Sequence, residues 1–179
     1  MLTATTASIT HDDPYQAGRD LAAELLDGLG AQPDVVLLFA SDVYKRQMAI
    51  RTGGLGARAL KATHDQKDSF AVGRALAEQA QAFGAALLIL LVDGIHLNST
   101  PVLAGAQSVL GRDFPIVGGV AADDARFART FELCNDEVLE GGAVALALQG
   151  PLRVATVAQG GWQPIGVTRR CTRVEGNKL

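Results

Sequence analysis

The fold of this chain is decided by residues 86–119, which read ALLILLVDGIHLNSTPVLAGAQSVLGRDFPIVGG. The apolar run Ala86–Val92 predicts a strand that is buried on both faces. Thr100 is expected to cap the following helix with Pro101 at its first position, and Gly111 is expected to end that helix. A second strand then begins at Phe114–Val117, so the segment predicts a βαβ unit whose two parallel strands are neighbours or near neighbours with a right-handed crossover.

Similar patterns precede this unit. Asp13-Pro14 offers an N-cap and a first-turn proline for a helix that runs to Gly30. The uninterrupted apolar segment Val35–Ala40 predicts a strand that is also buried on both faces. A second helix is predicted over Ser69–Phe83, because its apolar residues recur at helical spacing until Gly84.

After Arg126 the apolar period changes to two, with Phe127, Phe131 and Leu133 alternating with polar neighbours. Further strands are predicted at Ala143–Leu148, at Val154–Ala158 and after Gly166. The whole pattern predicts an α/β fold, with a mixed sheet in which a βαβ unit is followed by an antiparallel meander. We expect one domain over residues 1–179.

Composition excludes several classes of function. A net charge of -3 and a pI near 5.6 provide no basic field for nucleic acid or an anionic membrane. No apolar run approaches the ~18 residues of a membrane span, and the N-terminus lacks a signal-peptide pattern. Cys134 and Cys171 lie far apart, which favours reduced thiols over a disulfide or a zinc site. We therefore expect a soluble, cytoplasmic protein.

Polar residues follow both strands of the βαβ unit. Ligands of open α/β sheets bind at the carboxyl ends of the strands, so the loops 93–100 and 118–125 are the candidate site. The candidate ligand-binding residues are Asp93, His96, Asn98, Gly118, Gly119 and Asp123. A carboxylate such as Asp123 suits a ligand's amino group or a cation. The alternatives are that the glycines serve only a turn and that His96 is a surface residue.

No nucleophile and base can be assembled from residues of one loop, so no catalytic activity is predicted. The sequence Gly54-x-Gly56-x-x-Ala59 superficially matches a dinucleotide-binding turn. The residues after it carry no apolar helical stripe, however. A glycine-rich hairpin turn after a short strand at Met48–Arg51 is the favoured interpretation, and a nucleotide-dependent enzyme is the less favoured one.

Several motifs recur in one order along the chain. They are Asp93-Gly94-Ile95, Pro115–Gly119, Asp123–Thr130, Gly160–Gly166 (GGWQPIG) and Thr172–Asn177. This order resembles the N-terminal half of the FIST family, and the resemblance covers nearly all of residues 1–40 and 48–179. It implies a sensory domain of an intracellular signalling protein that binds a small ligand. The carboxylate of Asp123 on a glycine loop at a strand's carboxyl end favours a small polar metabolite such as an amino acid, with Asp123 near its amino group.

The same resemblance implies partners and further site residues. The partners would be a C-terminal FIST half and an output module such as a histidine kinase. Asp123 falls in the family pattern G-G-x-A-x-D, which begins at Gly118. Trp162, in the turn between two glycine-containing segments, is either a core residue or one wall of the ligand site.

A haem-binding nitric-oxide sensor is the alternative function, since some FIST proteins resemble such sensors. His96 or His64 would then ligate the iron. Apart from haem, the sequence predicts no cofactor, and no pair of residues has the spacing of a structural metal site.

One segment departs from the family pattern. After the first apolar strand, FIST domains continue with a helix, a further strand and a glycine-rich G-C-S/T motif, whereas this chain has Ser41–Gln47 (SDVYKRQ). The heptapeptide looks like a translated adapter sequence, which suggests a chimaeric chain that lacks about one helix-strand unit. Part of the strand Val35–Ala40 would then be exposed, and the chain would self-associate.

Overall fold

The computed structural model describes residues 2–40, 45–63, 68–157, 166–167, 170 and 172–173. Its helices are α1 (Pro14–Leu29), α2 (Ser69–Phe83) and α3 (Ser99–Leu110). Its strands are β1 (Thr3–Ile9), β2 (Val35–Ala40), β3 (Lys45–Arg51), β4 (Gly56–Thr63), β5 (Leu87–Val92), β6 (Ile116–Val120), β7 (Glu132–Cys134), β8 (Glu137–Leu139) and β9 (Gly142–Gln149). The predicted mixed α/β class is confirmed.

The first sheet has the order β1-β3-β2 and is antiparallel throughout. Helix α1 covers it, and Leu21, Leu25 and Ala49 lie in the core between them. The helix has the predicted ends. The Asp13 carboxylate accepts hydrogen bonds from backbone N–H groups of the first turn, and Gly30 adopts the left-handed conformation with φ 67°.

Strand β2 forms as predicted, but the expectation that it is buried on both faces is wrong. Val36, Leu38 and Phe39 are 48%, 37% and 48% exposed. Among the described residues β2 is an edge strand, and α1 packs on β1 and β3 instead. Within the part of the chain that the structure describes, apolar side chains of β2 are therefore left exposed.

We expect the chain to self-associate through β2, because an apolar edge strand offers unpaired backbone groups and uncovered side chains together. The double substitution Leu38→Lys with Phe39→Lys should convert oligomers into monomer in size-exclusion chromatography. Tyr15→Lys, at an exposed position of α1, is the matched control and should leave the oligomers unchanged. A compact monomer with a cooperative melt for the unsubstituted chain would contradict this expectation.

The second sheet has the order β4-β9-β5-β6. Strands β5 and β6 are parallel neighbours, which confirms the predicted βαβ unit. Strand β9, the last described strand along the chain, pairs antiparallel with both β4 and β5. It therefore lies inside the sheet and not at its edge. Helices α2 and α3 pack together, and α2 also contacts β4 and β9. Val72, Leu76 and Val102 lie in this core.

Glycine lets α2 and α3 approach backbone to backbone. A Cβ atom on Gly73 would lie 1.8 Å from the Val102 carbonyl oxygen, and one on Gly105 would lie 2.1 Å from that of Phe70. Neither position can accept a larger residue without separating the helices. This contact fixes the position of α3 and of the loop that leads into it.

The predicted start of α3 is wrong in two respects, which are the residue that caps it and the position of the proline. Asn98, and not Thr100, caps α3, since its side chain accepts a hydrogen bond from the Thr100 N–H at 3.0 Å. Asn98 directly precedes Ser99, the first helical residue, and from that position a side chain can accept a hydrogen bond from an N–H of the first turn. Pro101 consequently sits inside the first turn, where its missing N–H costs no hydrogen bond.

The glycine motif at Gly54 and Gly56 leads into strand β4 and not into a helix, so it has no helix N-terminus to face a pyrophosphate. The favoured hairpin is wrong as well, because β3 and β4 belong to different sheets. The strand predicted at Val154–Ala158 is also wrong where it is described, since residues 152–157 form no strand. The strand after Gly166 lies almost wholly outside the described residues. Among the described helices, none has the length and apolar character to cross a membrane.

Candidate functional site

The carboxyl end of β5 carries a buried carboxylate. Asp93 has 0% exposure and accepts hydrogen bonds from the backbone N–H groups of Ile95 at 2.8 Å, His96 at 2.6 Å and Gly141 at 2.9 Å. Its other contact is the Nδ1 atom of His96, at 3.2 Å. Burial raises the pKa of Asp93, but these hydrogen bonds outweigh burial and hold it below the ordinary value. Asp93 is therefore a buried anion that fixes the turn 93–96.

Both ends of the loop after β6 contact the turn 93–96. The Gly94 N–H donates to the Thr130 hydroxyl at 3.2 Å, and Thr130 is buried. A Cβ atom on Gly94 would lie 2.0 Å from the Ala121 carbonyl oxygen, so glycine is needed where the two loops touch. The candidate site is thus an assembly of the turn 93–96, the loop 121–131 and the turn at Gly141.

Asp123 organises the loop that contains it. Its carboxylate accepts hydrogen bonds from the N–H groups of Ala128 at 2.6 Å, Phe127 at 3.0 Å and Arg129 at 3.2 Å. The bond from Ala128 is the main reason that the pKa of Asp123 is lowered. Asp124, Ala125 and Phe127 adopt left-handed conformations, which are strained for residues other than glycine. The Asp123 carboxylate holds this strained loop together.

The other predicted site residues take different positions. Asn98 caps α3, and its N–H donates to the Ser69 hydroxyl at 2.9 Å. Gly118 and Gly119 lie within β6 and not in a loop after it. A Cβ on Gly118 would lie 1.7 Å from the Leu90 carbonyl oxygen, so this glycine allows β5 and β6 to pair closely. Trp162 and His64 lie outside the described residues.

Glu132, which no sequence motif indicates, lies beside this assembly on β7. Its side chain is 3% exposed, and both carboxyl oxygens lack a hydrogen-bond partner among the described residues. Burial raises the pKa of Glu132 to about 8, and the nearby negative charge of Asp93 adds to this effect. Glu132 is therefore a neutral acid at pH 7 next to an ionised one.

The alternation of apolar and polar residues gives no signal for Glu132, because it is one of the polar neighbours. Such alternation favours burial of the apolar Phe127, Phe131 and Leu133, but they are 79%, 47% and 53% exposed. The buried residues are the alternating Thr130, Glu132 and Cys134. A two-residue turn with Asn135 in the left-handed conformation sets the β7–β8 register, and Cys134 packs with Leu139 and Val144.

A match to the family model of the FIST N domain covers residues 47–179, about three quarters of the chain. The chain belongs to the FIST N domain family. The matched region contains Asp93, Asp123 and Glu132, together with the undescribed Trp162. Residues 1–46 lie outside the match, although the sequence resemblance extended over residues 1–40.

An uncharacterized protein of Methanocaldococcus jannaschii is similar to this FIST N domain, with 36% identity over 70 residues. The aligned region covers 38% of this chain and 14% of that protein, so the chain spans a small part of its relative's length. No solved structure matches the chain. FIST domains form a family of sensory domains in signalling proteins and not a family of enzymes.

This FIST N domain also has a cavity of about 540 Å³ at the opposite end of the second sheet, lined in part by Ala86, Arg112, Phe114 and Ile116. None of the predicted site residues lines it. Ligands of open α/β sheets bind at the carboxyl ends of strands, and this cavity lies at the amino ends of β5 and β6. The polar assembly around Asp93 therefore remains the candidate site. Within the described ranges, no three His, Cys, Asp or Glu side chains are grouped to hold a metal ion.

Proposed function

We propose that this FIST N domain senses a small polar metabolite, an α-amino acid being the favoured class, inside the cell. The observation that supports the proposal is the concentration of buried polar groups at one end of β5. Asp93, Thr130 and Glu132 are three of the four buried polar residues described. Burial of polar groups costs free energy unless they have partners, so such a group at a strand's carboxyl end is typical of a binding site.

In this proposal the ligand contacts the residues around the two loops. They are Asp93, His96, Asn98, Gly118, Gly119, Asp123 and Trp162. Asp93 and Asn98 would hold the first loop. Gly118 would serve through the close pairing of β5 and β6, and Gly119, whose Cβ position is open, would allow the ligand to approach the backbone. Because three N–H groups already occupy the Asp123 carboxylate, we propose that Asp123 shapes the second loop. The ligand's amino group would then be received elsewhere in the same assembly.

The sensory signal would pass from this domain to a C-terminal FIST half and to an output module such as a histidine kinase. Loop 121–131 is the element that supports this idea. It touches the Asp93 turn through Gly94 and presents Phe127 to solvent with 79% exposure. A ligand at the turn would therefore alter a surface that a partner can contact.

A thermal-shift screen with the twenty common α-amino acids tests the ligand class. An amino acid at 100 times its Kd should stabilise the fold by about 2.7 kcal/mol. For a chain of this size that corresponds to a rise in Tm of roughly 5–10 °C. The matching α-hydroxy acids, which lack the ammonium group, are the control and should have little effect. The proposal fails if no amino acid raises Tm.

Haem binding is the second candidate. Its support is the contact of His96 Nδ1 with the Asp93 carboxylate, since metal-ligating histidines commonly donate their other nitrogen to a carboxylate. His96 would then be the residue that holds the iron through Nε2. Protein purified after haem supplementation should show a Soret band that is lost in His96→Ala. A protein without that band would favour the amino-acid sensor.

A further inference from the structure

The buried acid Glu132 forms no side-chain hydrogen bond among the described residues. It lies on the inner side of the β7–β8 hairpin, opposite Leu139 in the register. Asp93 has four hydrogen-bonding contacts, whereas the two oxygens of Glu132 have none among the described residues. Two carboxyl groups thus share one buried region, and only one of them is satisfied.

An ionised carboxylate in such a place needs a positive partner. A buried charge without a partner costs several kcal/mol, so an acid either keeps its proton or pairs with a cation. The titratable groups on the elements around Glu132 are Asp93 and His96 after β5, Cys134 on β7, Lys61 and Arg58 on β4, and Glu137 on β8. Arg58 lies over the Phe83 ring. Strand β9 contributes none.

Two cations at the hairpin already have anionic partners. Lys61 forms an ion pair with Glu137, and Arg129 at the start of the hairpin binds Glu140 at 3.1 Å. The His96 ring contacts Asp93. Because no described residue forms a hydrogen bond with the Glu132 carboxyl, a ligand is the positive partner that we consider for an ionised Glu132.

We propose that Glu132 receives the ammonium group of the ligand, and that it is protonated when the site is empty and ionised when the ligand is bound. On binding, the O–H bond of the Glu132 carboxyl breaks, the proton passes to solvent, and the carboxylate forms an ion pair with the ammonium. This inference rests on the proposed sensing of an amino acid. It makes ligand binding depend on pH, because a bound ligand displaces one proton wherever Glu132 of the empty site is protonated.

Access to Glu132 requires movement of the elements that cover it. Strands β7 and β8 have three residues each, and Leu133 and Val138 on their outer side are 53% and 65% exposed. The buried side chains of the two strands are Glu132, Cys134 and Leu139, and a short segment with so small a core opens at a lower free-energy cost than the second sheet. The hairpin and the adjoining loop 121–131 can therefore admit a ligand without unfolding the second sheet.

Isothermal titration calorimetry tests the inference with the common α-amino acids as probes, in phosphate and in Tris buffer. The difference in heat between the buffers gives the number of protons released. At pH 7, about one proton should be released per bound amino acid, because Glu132 is mostly protonated there. At pH 9 the release should vanish. The apparent Kd should fall about tenfold per pH unit between pH 6 and 7.5 and then level off.

Glu132→Gln separates this role from simple packing. The amide cannot ionise, so the variant should release no proton and bind its amino acid at least tenfold more weakly at pH 8. Glu24→Gln, at an exposed position of α1, is the matched control and should behave like the unsubstituted domain. Far-UV circular dichroism at pH 5 verifies that both variants are folded.

The outcomes distinguish the two proposals. Amino-acid binding without proton release, or equal binding by Glu132→Gln, would overturn the role of Glu132 and leave amino-acid sensing in place. Absence of binding by every probe would overturn both. Proton release that disappears in Glu132→Gln but persists in Glu24→Gln would support both.

Discussion

Replacing Asp93 with alanine is expected to lower the free energy of unfolding by about 3–5 kcal/mol. The Asp93 carboxylate is the acceptor for the N–H groups of Ile95, His96 and Gly141. Without it, the buried Gly141 N–H and the part-buried N–H groups of Ile95 and His96 lose their acceptor, and a cavity replaces the carboxylate. Urea unfolding at pH 7 measures the loss, which should appear as a lower midpoint with an unchanged m-value.

Asp123→Ala is the matched control for this prediction. Asp123 also accepts three backbone N–H bonds, but its loop is exposed, so water can satisfy the donors when the carboxylate is removed. Asp123→Ala should therefore lower the free energy of unfolding much less than Asp93→Ala does. Equal losses for the two variants would show that the buried position of Asp93 is not what makes it important.

The helices of this domain could be predicted from the sequence because their signals are local. Asp13, Gly30 and Gly84 each lie within one turn of the helix end that they determine. The parallel pairing of β5 and β6 also followed from the sequence, since the connecting helix is long enough for a crossover. These features depend on residues that are close together along the chain.

Long-range features could not be predicted in the same way. The pairing of β9 with both β4 and β5 depends on contacts between segments more than fifty residues apart. Whether β2 is covered depends on elements that lie elsewhere in the chain. Its apolar composition predicted burial, yet Phe39 is 48% exposed because α1 packs on other strands.

The candidate site contains one residue that local sequence indicates, Asp93, and one whose burial depends on long-range contacts, Glu132. Asp93 was identified because a polar residue directly after a buried strand lies at a position where ligands bind. Glu132 was missed because its burial depends on which face of β7 turns inward, and one residue of phase decides that. The apolar Phe131 and Leu133 favoured the opposite face, but Cys134 and Leu139 pack inward instead.

Glu132 should make the domain less stable as the pH rises. Its pKa is about 8 in the folded state against an ordinary value of 4.5, so the folded state holds a proton that the unfolded state loses. Unfolding therefore releases a proton between these two values, and the free energy of unfolding falls with rising pH. The slope is up to about 1.4 kcal/mol per pH unit, or roughly 4–5 kcal/mol over the whole interval.

Glu132→Gln should abolish this contribution, because an amide stays neutral at every pH in the range. Near pH 4.5 the variant should match the unsubstituted domain to within about 1 kcal/mol, since a protonated acid and an amide are both neutral and polar. At pH 9 it should be more stable by roughly 4 kcal/mol, because only the unsubstituted domain then buries a second anion beside Asp93. Urea unfolding at pH 5, 7 and 9 measures the difference, and groups common to both proteins cancel in it. Glu24→Gln should have the same free energy of unfolding as the unsubstituted domain at all three pH values. If the free energy of Glu132→Gln also differs from that of the unsubstituted domain by the same amount at every pH, Glu132 titrates like an ordinary glutamate.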